Sequence, residues 1–163
     1  MTCEAEYINR LISEHGNTVL RIAYTYLKNM ADAEDIVQDV FLSVIDKKPA
    51  FNDKNHEKFW LIRVTINMCK NKLNRFWERN KRPLSSAAEI PHYDEYNADK
   101  TVINAVMSLP EKYRIAVYMH YYEGYSAADI AKIIRSQEST VRSLLHRARN
   151  KLKNVLKEDY DFE

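Results

Sequence analysis

The residues best suited to do chemistry in this chain are basic and amide side chains at helical spacing. Arg142, Ser143, His146, Arg147, Arg149 and Asn150 share one face of a pattern whose other face is Val141, Leu144, Leu145, Ala148, Leu152, Val155 and Leu156. Steps of three and four in the apolar set make a single stripe along a helix. A second, shorter pattern precedes it, with Ala128, Ile130, Ala131, Ile133 and Ile134 as its apolar set. Ser126, followed by Asp129 three residues on, is a start signal of the capping-box kind. Two short helices across a tight break, the second basic outside, suit a helix-turn-helix whose second helix enters a DNA major groove. An ordinary helical hairpin with a solvated cationic face would share the spacing. The small Ala131 where the helices must approach, with Val141 and Leu144 closing the core, favours the DNA reading.

A second set lies in the segment 60–82. Asn67, Lys70, Asn71, Asn74 and Arg75 recur at steps of three and four. Asparagine amides can bond base edges, and Lys and Arg can bond phosphates. The aromatics Trp60, Phe76 and Trp77 flank them and could stack on unpaired bases. Core packing is the expectation for Trp60 and Phe76, and Trp77 stays open between the two. A third set is acidic. Asp32, Glu34 and Asp35 fall in a first helical turn, where the helix dipole favours carboxylates by about 0.3–1 kcal/mol each. Gln38 and Asp39 lie beyond its reach. Asp35, Gln38 and Asp39 share a face, which suits docking to a basic protein partner and not to DNA.

Nothing in the chain forms a catalytic constellation. There is no Gly-rich phosphate loop and no paired-Cys motif. His15, His56, His92, His120 and His146 are scattered. No metal and no cofactor are expected.

The elements that must position these groups are helices. The chain has 163 residues but only two Gly and four Pro, and 45% of it is hydrophobic. That composition argues for an all-α protein. The net charge of +2 hides segregation. Residues 66–82 carry six bases against one acid, residues 135–157 seven bases against one acid, and residues 84–134 four bases against seven acids. Two separate basic blocks suggest two contacts with a polyanion. Cys3 and Cys69 have no paired spacing, which suits a reducing cytoplasm. No signal peptide is expected at the amino terminus, and no apolar run approaches the roughly 20 residues of a membrane span.

Along the chain, a helical pattern runs from about Glu4 to Lys28, with Gly16-Asn17 as a candidate break. The next starts near Asp32, with Ala33, Ile36, Val37, Val40, Phe41 and Val44 as its apolar face. A polar loop with Pro49 follows. A third pattern covers about Lys58 to Arg79. Residues 83–100, with two Pro, two Ser and weak periodicity, read as a flexible linker. Pattern resumes at Thr101, and Pro110 suits the first turn of a further helix. Ile115, Ala116, Val117, Met119 and Tyr122 would line its apolar side. The expected fold is therefore two small helical domains, 1–82 and 101–163, each near the lower size limit for an independent core.

Three segments in order, DAEDIVQDVFL, FWLIRVTINMCKNKLNR and LPEKYRIAVYMHYYEGYSAADIAKIIRSQESTVRSLLHRARNKLK, resemble the extracytoplasmic-function RNA polymerase sigma factors of the sigma-70 superfamily. The resemblance implies a region-two bundle followed by a region-four helix-turn-helix. It implies that Asp35, Gln38, Asp39 and Phe41 meet the clamp helices of the polymerase beta-prime subunit. Asn67, Lys70, Asn71 and Arg75 would act on the minus-ten element, and a loop near Arg79 to Pro83 would hold a flipped base. Thr140, Arg142, Ser143, His146 and Arg147 would meet the minus-thirty-five element. The implied partners are core RNA polymerase, including its beta flap, and promoter DNA, with an anti-sigma factor as a possible further one. A cytoplasmic, non-enzymatic protein without membrane insertion is implied too. The chain departs from the family pattern at Arg135, Gln137 and Ser139, where Gly, Ser and Gly are usual. The other class compatible with the residues is a helix-turn-helix regulator that acts without being a polymerase subunit.

Overall fold

A computed structural model describes residues 3–79 and 100–159, and every regular element among them is helical. The chain divides into two compact units, residues 1–91 and 92–163. The expected linker, residues 83–100, lies outside the described residues except for its last position.

The first unit is a bundle of three helices, α1 (Cys3–Leu27), α2 (Met30–Lys47) and α3 (Lys54–Arg79). Its core joins Leu11, Val19 and Ile22 of α1, Ile36, Val40 and Val44 of α2, and Leu61, Ile62 and Ile66 of α3. Helix α1 does not break at Gly16-Asn17. Its buried stripe of Leu11, His15, Val19 and Ile22 keeps one phase across the glycine, so burial overrides a propensity cost of about 1 kcal/mol. Helix α2 starts two residues before Asp32. Asn29 is its N-cap, and its side-chain oxygen accepts from the Asp32 N–H at 3.0 Å. Helix α3 starts at Lys54, earlier than the apolar pattern, because the Asp53 carboxylate accepts from the His56 N–H at 2.7 Å. The Cys69 thiol lies in this core, and burial pushes its pKa up to about 12. Cys3 is exposed, and both cysteines are free.

The second unit contains α4 (Lys100–Met107), α5 (Glu111–Val117), α6 (Ala127–Ile134) and α7 (Glu138–Asp159). Pro110 is the residue before α5, not its first helical position. Arg114 is buried at 4% exposure and donates from Nη1 to the Leu109 carbonyl at 2.8 Å, which ties α5 to the α4–α5 turn. Helix α5 runs on as a single π-helical turn, Tyr118–Tyr122. The wider turn shifts the side-chain phase, so Tyr118 and Met119 stay buried while Tyr122 stands 62% exposed. Tyr122 therefore does not line the core, contrary to the sequence pattern. It stacks on Tyr118 with centroids 5.4 Å apart. Gly124, at φ +75, supplies the left-handed step that leads into α6. No helix among the described residues is long and apolar enough to cross a membrane.

Candidate nucleic-acid interface and docking face

Helix α7 is set by the turn before it. Ser126 caps α6, accepting from the Asp129 N–H at 3.1 Å. Helix α6 closes at Arg135, whose φ of 57 is left-handed and whose N–H donates to the Ala131 carbonyl. Ser136 N–H reaches the same carbonyl at 2.8 Å. This chain thus uses Arg where the turn geometry favours Gly, at a cost of about 1–2 kcal/mol. Ala131, Val141, Leu145 and Ala148 are buried, whereas Leu144 is only half-buried. The core position beside Val141 therefore belongs to Leu145.

That packing leaves Thr140, Arg142, Ser143, His146 and Arg147 all exposed along the first turns of α7. Arg142 is paired with the Glu138 carboxylate one turn earlier. His146 Nε2 lies 3.3 Å from the Asn150 amide nitrogen. Arg149 folds back, its Nε donating to the Leu145 carbonyl at 3.3 Å, so it stands out less than its neighbours. An exposed Arg/Ser/His/Arg set near a helix start can reach base edges and phosphates.

On α3, Asn67 and Lys70 are half-buried and Asn71, Asn74 and Arg75 are exposed. Lys72 faces the other way, with Nζ 3.4 Å from Asp32 Oδ1 and 3.6 Å from Asp35 Oδ2 on α2. Phe76 is not a core residue. It is 49% exposed and packs edge-on against Trp77, itself 43% exposed, with centroids 5.8 Å apart. Trp60 is half-buried against Phe51 at 5.7 Å. Two adjacent exposed rings beside Arg75 and Arg79 are the kind of surface that stacks unpaired bases.

On α2, Asp35, Gln38 and Asp39 are exposed on one face. Phe41 is 5% exposed and belongs to the core. It stands beside Val40 on the inward stripe, covered by the bundle and apart from the exposed acidic face. Leu42 at 59% and Ile45 at 41% exposure are the large apolar groups on the open side of this helix. Sequence reading missed both, although their one-residue offset from Phe41 and Val44 puts them off the buried stripe.

His15 is not an isolated side chain. Its Nε2 lies 2.8 Å from Glu57 Oε1, and the Arg10 guanidinium donates to Glu57 at 3.0 and 3.2 Å and to Glu14 at 3.0 Å. Glu14, His15 and Glu57 are close enough to share a cation. The Arg10 guanidinium already bonds both carboxylates, and the group works as an ion-pair network pinning α1 to α3.

The Sigma-70 region 2 family model matches residues 11–79, and the Sigma-70, region 4 model matches residues 100–152. The chain is 31% identical over 151 residues to the ECF RNA polymerase sigma factor SigM of Mycobacterium tuberculosis, covering 91% of this chain and 76% of SigM. It is 30% identical over 162 residues to SigL of the same organism, covering 95% and 92%. Among solved structures, the sigma factor RpoE of Bartonella quintana, crystallised with the anti-sigma factor NepR, superposes with a TM-score of 0.75 at 23% identity, covering 93% of this chain and 98% of that one. The chain belongs to the extracytoplasmic-function RNA polymerase sigma factors of the sigma-70 family. A regulator that acts without being a polymerase subunit is thereby set aside.

Proposed function

We propose that this chain docks core RNA polymerase through α2, reads a promoter at two places through α3 and α7, and starts transcription. The observation that carries this is a division of exposed faces. One unit exposes the acidic face Asp35, Gln38 and Asp39 and, on α3, Asn71 and Arg75 with Asn67 and Lys70 half-buried beside them. The second unit opens Thr140, Arg142, Ser143, His146 and Arg147.

In this reading α2 meets the clamp helices of the beta-prime subunit, with Leu42 in the contact and Phe41 supporting it from inside. Asn67 and Asn71 bond bases of the opened minus-ten strand, Arg75 and Lys70 hold its phosphates, and Trp77 stacks. The α7 set reads the minus-thirty-five duplex, while the second unit also meets the beta flap. In this reading the working domains are 1–82 and 101–163, within the compact units 1–91 and 92–163. The polymerase supplies the catalysis, and this chain is a non-enzymatic cytoplasmic subunit needing no cofactor. An anti-sigma factor is a further partner proposed on family grounds alone.

The test is promoter-specific transcription by purified core polymerase with and without the chain. Asp39→Lys should weaken binding to core polymerase while DNA binding by residues 101–163 survives. Equal affinity of the parent and the variant for core polymerase removes α2 from the interface.

A further inference from the structure

Lys72 continues a stripe of α3 that the bundle otherwise covers. Thr65, Cys69 and Lys72 follow one another at steps of four and three, and the first two are buried. The Lys72 side chain keeps only 29% exposure. A lysine that lays its stem along apolar surface holds its charged head at the rim. Here the head emerges beside the start of α2, with Nζ 3.4 Å from Asp32 Oδ1 and 3.6 Å from Asp35 Oδ2.

Asp35 is thus paired from the bundle side although its own side chain is 65% exposed. Asp39, one turn further along the same face, has no cationic partner among the described residues. The acidic face of α2 is therefore compensated at one end and bare at the other. A bare carboxylate draws a basic partner with its whole charge. A carboxylate beside an ammonium draws it less, and a docking cation must displace that ammonium or share the oxygen with it.

We propose that Lys72 is an intramolecular competitor of core polymerase for Asp35, keeping the docking face partly neutralised until the polymerase takes the carboxylate from it. This rests on the reading that α2 meets the polymerase through Asp35, Gln38 and Asp39. The fold then sets the affinity for core polymerase below what the acids alone would give. A lysine that merely tied α2 to α3 would act in the opposite sense, because its loss would loosen the docking face and weaken binding.

The experiment measures binding of the whole labelled chain to purified core polymerase across a salt series, with thermal unfolding of the free chain beside it. Lys72→Met keeps the apolar stem and removes the charge. Lys72→Gln is the second probe, so that a loss of Tm in one variant leaves the other to decide. Expected at low salt is roughly two- to fivefold tighter binding, the range of one exposed ion pair. The gain should fade as salt screens the face. Lys72→Arg should bind as the parent does. In an Asp35→Asn background Lys72→Met should gain little, because the carboxylate it competed for is gone. An undiminished gain there would make the effect one of net charge alone and overturns the proposal, as does equal or weaker binding by both neutral variants. Asp39→Lys separates this from the docking reading. If Asp39→Lys weakens binding and neither neutral variant strengthens it, the competition alone is excluded. If none of these variants changes binding, the reading of α2 fails with it.

Discussion

Among the described residues, the non-glycine residues Lys28, Lys48 and Arg135 have left-handed backbone, at φ 59, 48 and 57. Each follows the last residue of a helix, and each N–H closes back on a carbonyl four residues earlier. All three are cationic. A positive charge at a helix carboxyl end gains about 0.3–1 kcal/mol from the dipole, which offsets part of the left-handed cost of about 1–2 kcal/mol. At Arg135 the remainder sits in the turn that aims α7. Arg135→Gly is therefore expected to stabilise the second unit by about 1 kcal/mol, read as a shift of the urea midpoint with an unchanged slope. A lower midpoint would mean that the Arg135 side chain makes contacts outweighing its backbone strain.

Among the elements, α1 shows most clearly how packing overrules a local signal. A Cβ built at Gly16 would meet Ile12 Cγ2 at 3.6 Å, an ordinary contact. Gly16→Ala should thus raise stability by roughly 0.5–1 kcal/mol, and a loss of stability in denaturant titration would show that the helix needs a glycine there. The pin between α1 and α3 has a pH signature. Burial alone would raise the Glu57 pKa, but the bonds from Arg10 and His15 outweigh it and hold the carboxyl below its ordinary value of 4.5. Its folded pKa lies below its unfolded one, so its contribution is complete above the unfolded value and is lost as pH falls through the folded value. Unfolding titrations from about pH 7 to about pH 3 should show the first unit weakening below about pH 4.5. Glu57→Gln should be less stable at neutral pH and should lose less on acidification. Parallel curves for parent and variant would remove Glu57 from the acid response.

At the scale of the whole molecule, each unit has its own apolar core, Leu11 to Cys69 in the first and Ala105 to Ala148 in the second. Residues 1–82 and 101–163, made separately, are therefore expected to be helical and to unfold cooperatively. Circular dichroism melts check this, and a fragment that stays unfolded would mean that its core depends on the other half or on a partner. The division also separates the proposed labours. Changes to α7 should alter duplex binding without touching the affinity of α2 for polymerase, because the two helices belong to separate compact units.

Much of this was legible in the chain itself. Periodicity gave the helical class and the two-part layout, because an amphipathic stripe at steps of three and four has one way to be buried. Ser126 and Asp129 marked the start of α6, and Val141 and Ala148 marked the inward side of α7, so the outward set Arg142, Ser143, His146 and Arg147 followed. What periodicity could not supply was depth and partnership. Phe41 lies on the apolar stripe of α2 and Leu42 off it, but only the packed bundle decides how deeply the first is covered and how far the second stands out. Phe76 lies on a helical apolar pattern yet is half exposed. Tyr122 leaves its expected side because a π turn breaks the helical phase. Tertiary structure likewise joined His15 to Glu57 across 42 positions. Sequence spacing fixes which residues share a helix face. The approach of a second helix, far away in the chain, decides which of them are covered and which are paired.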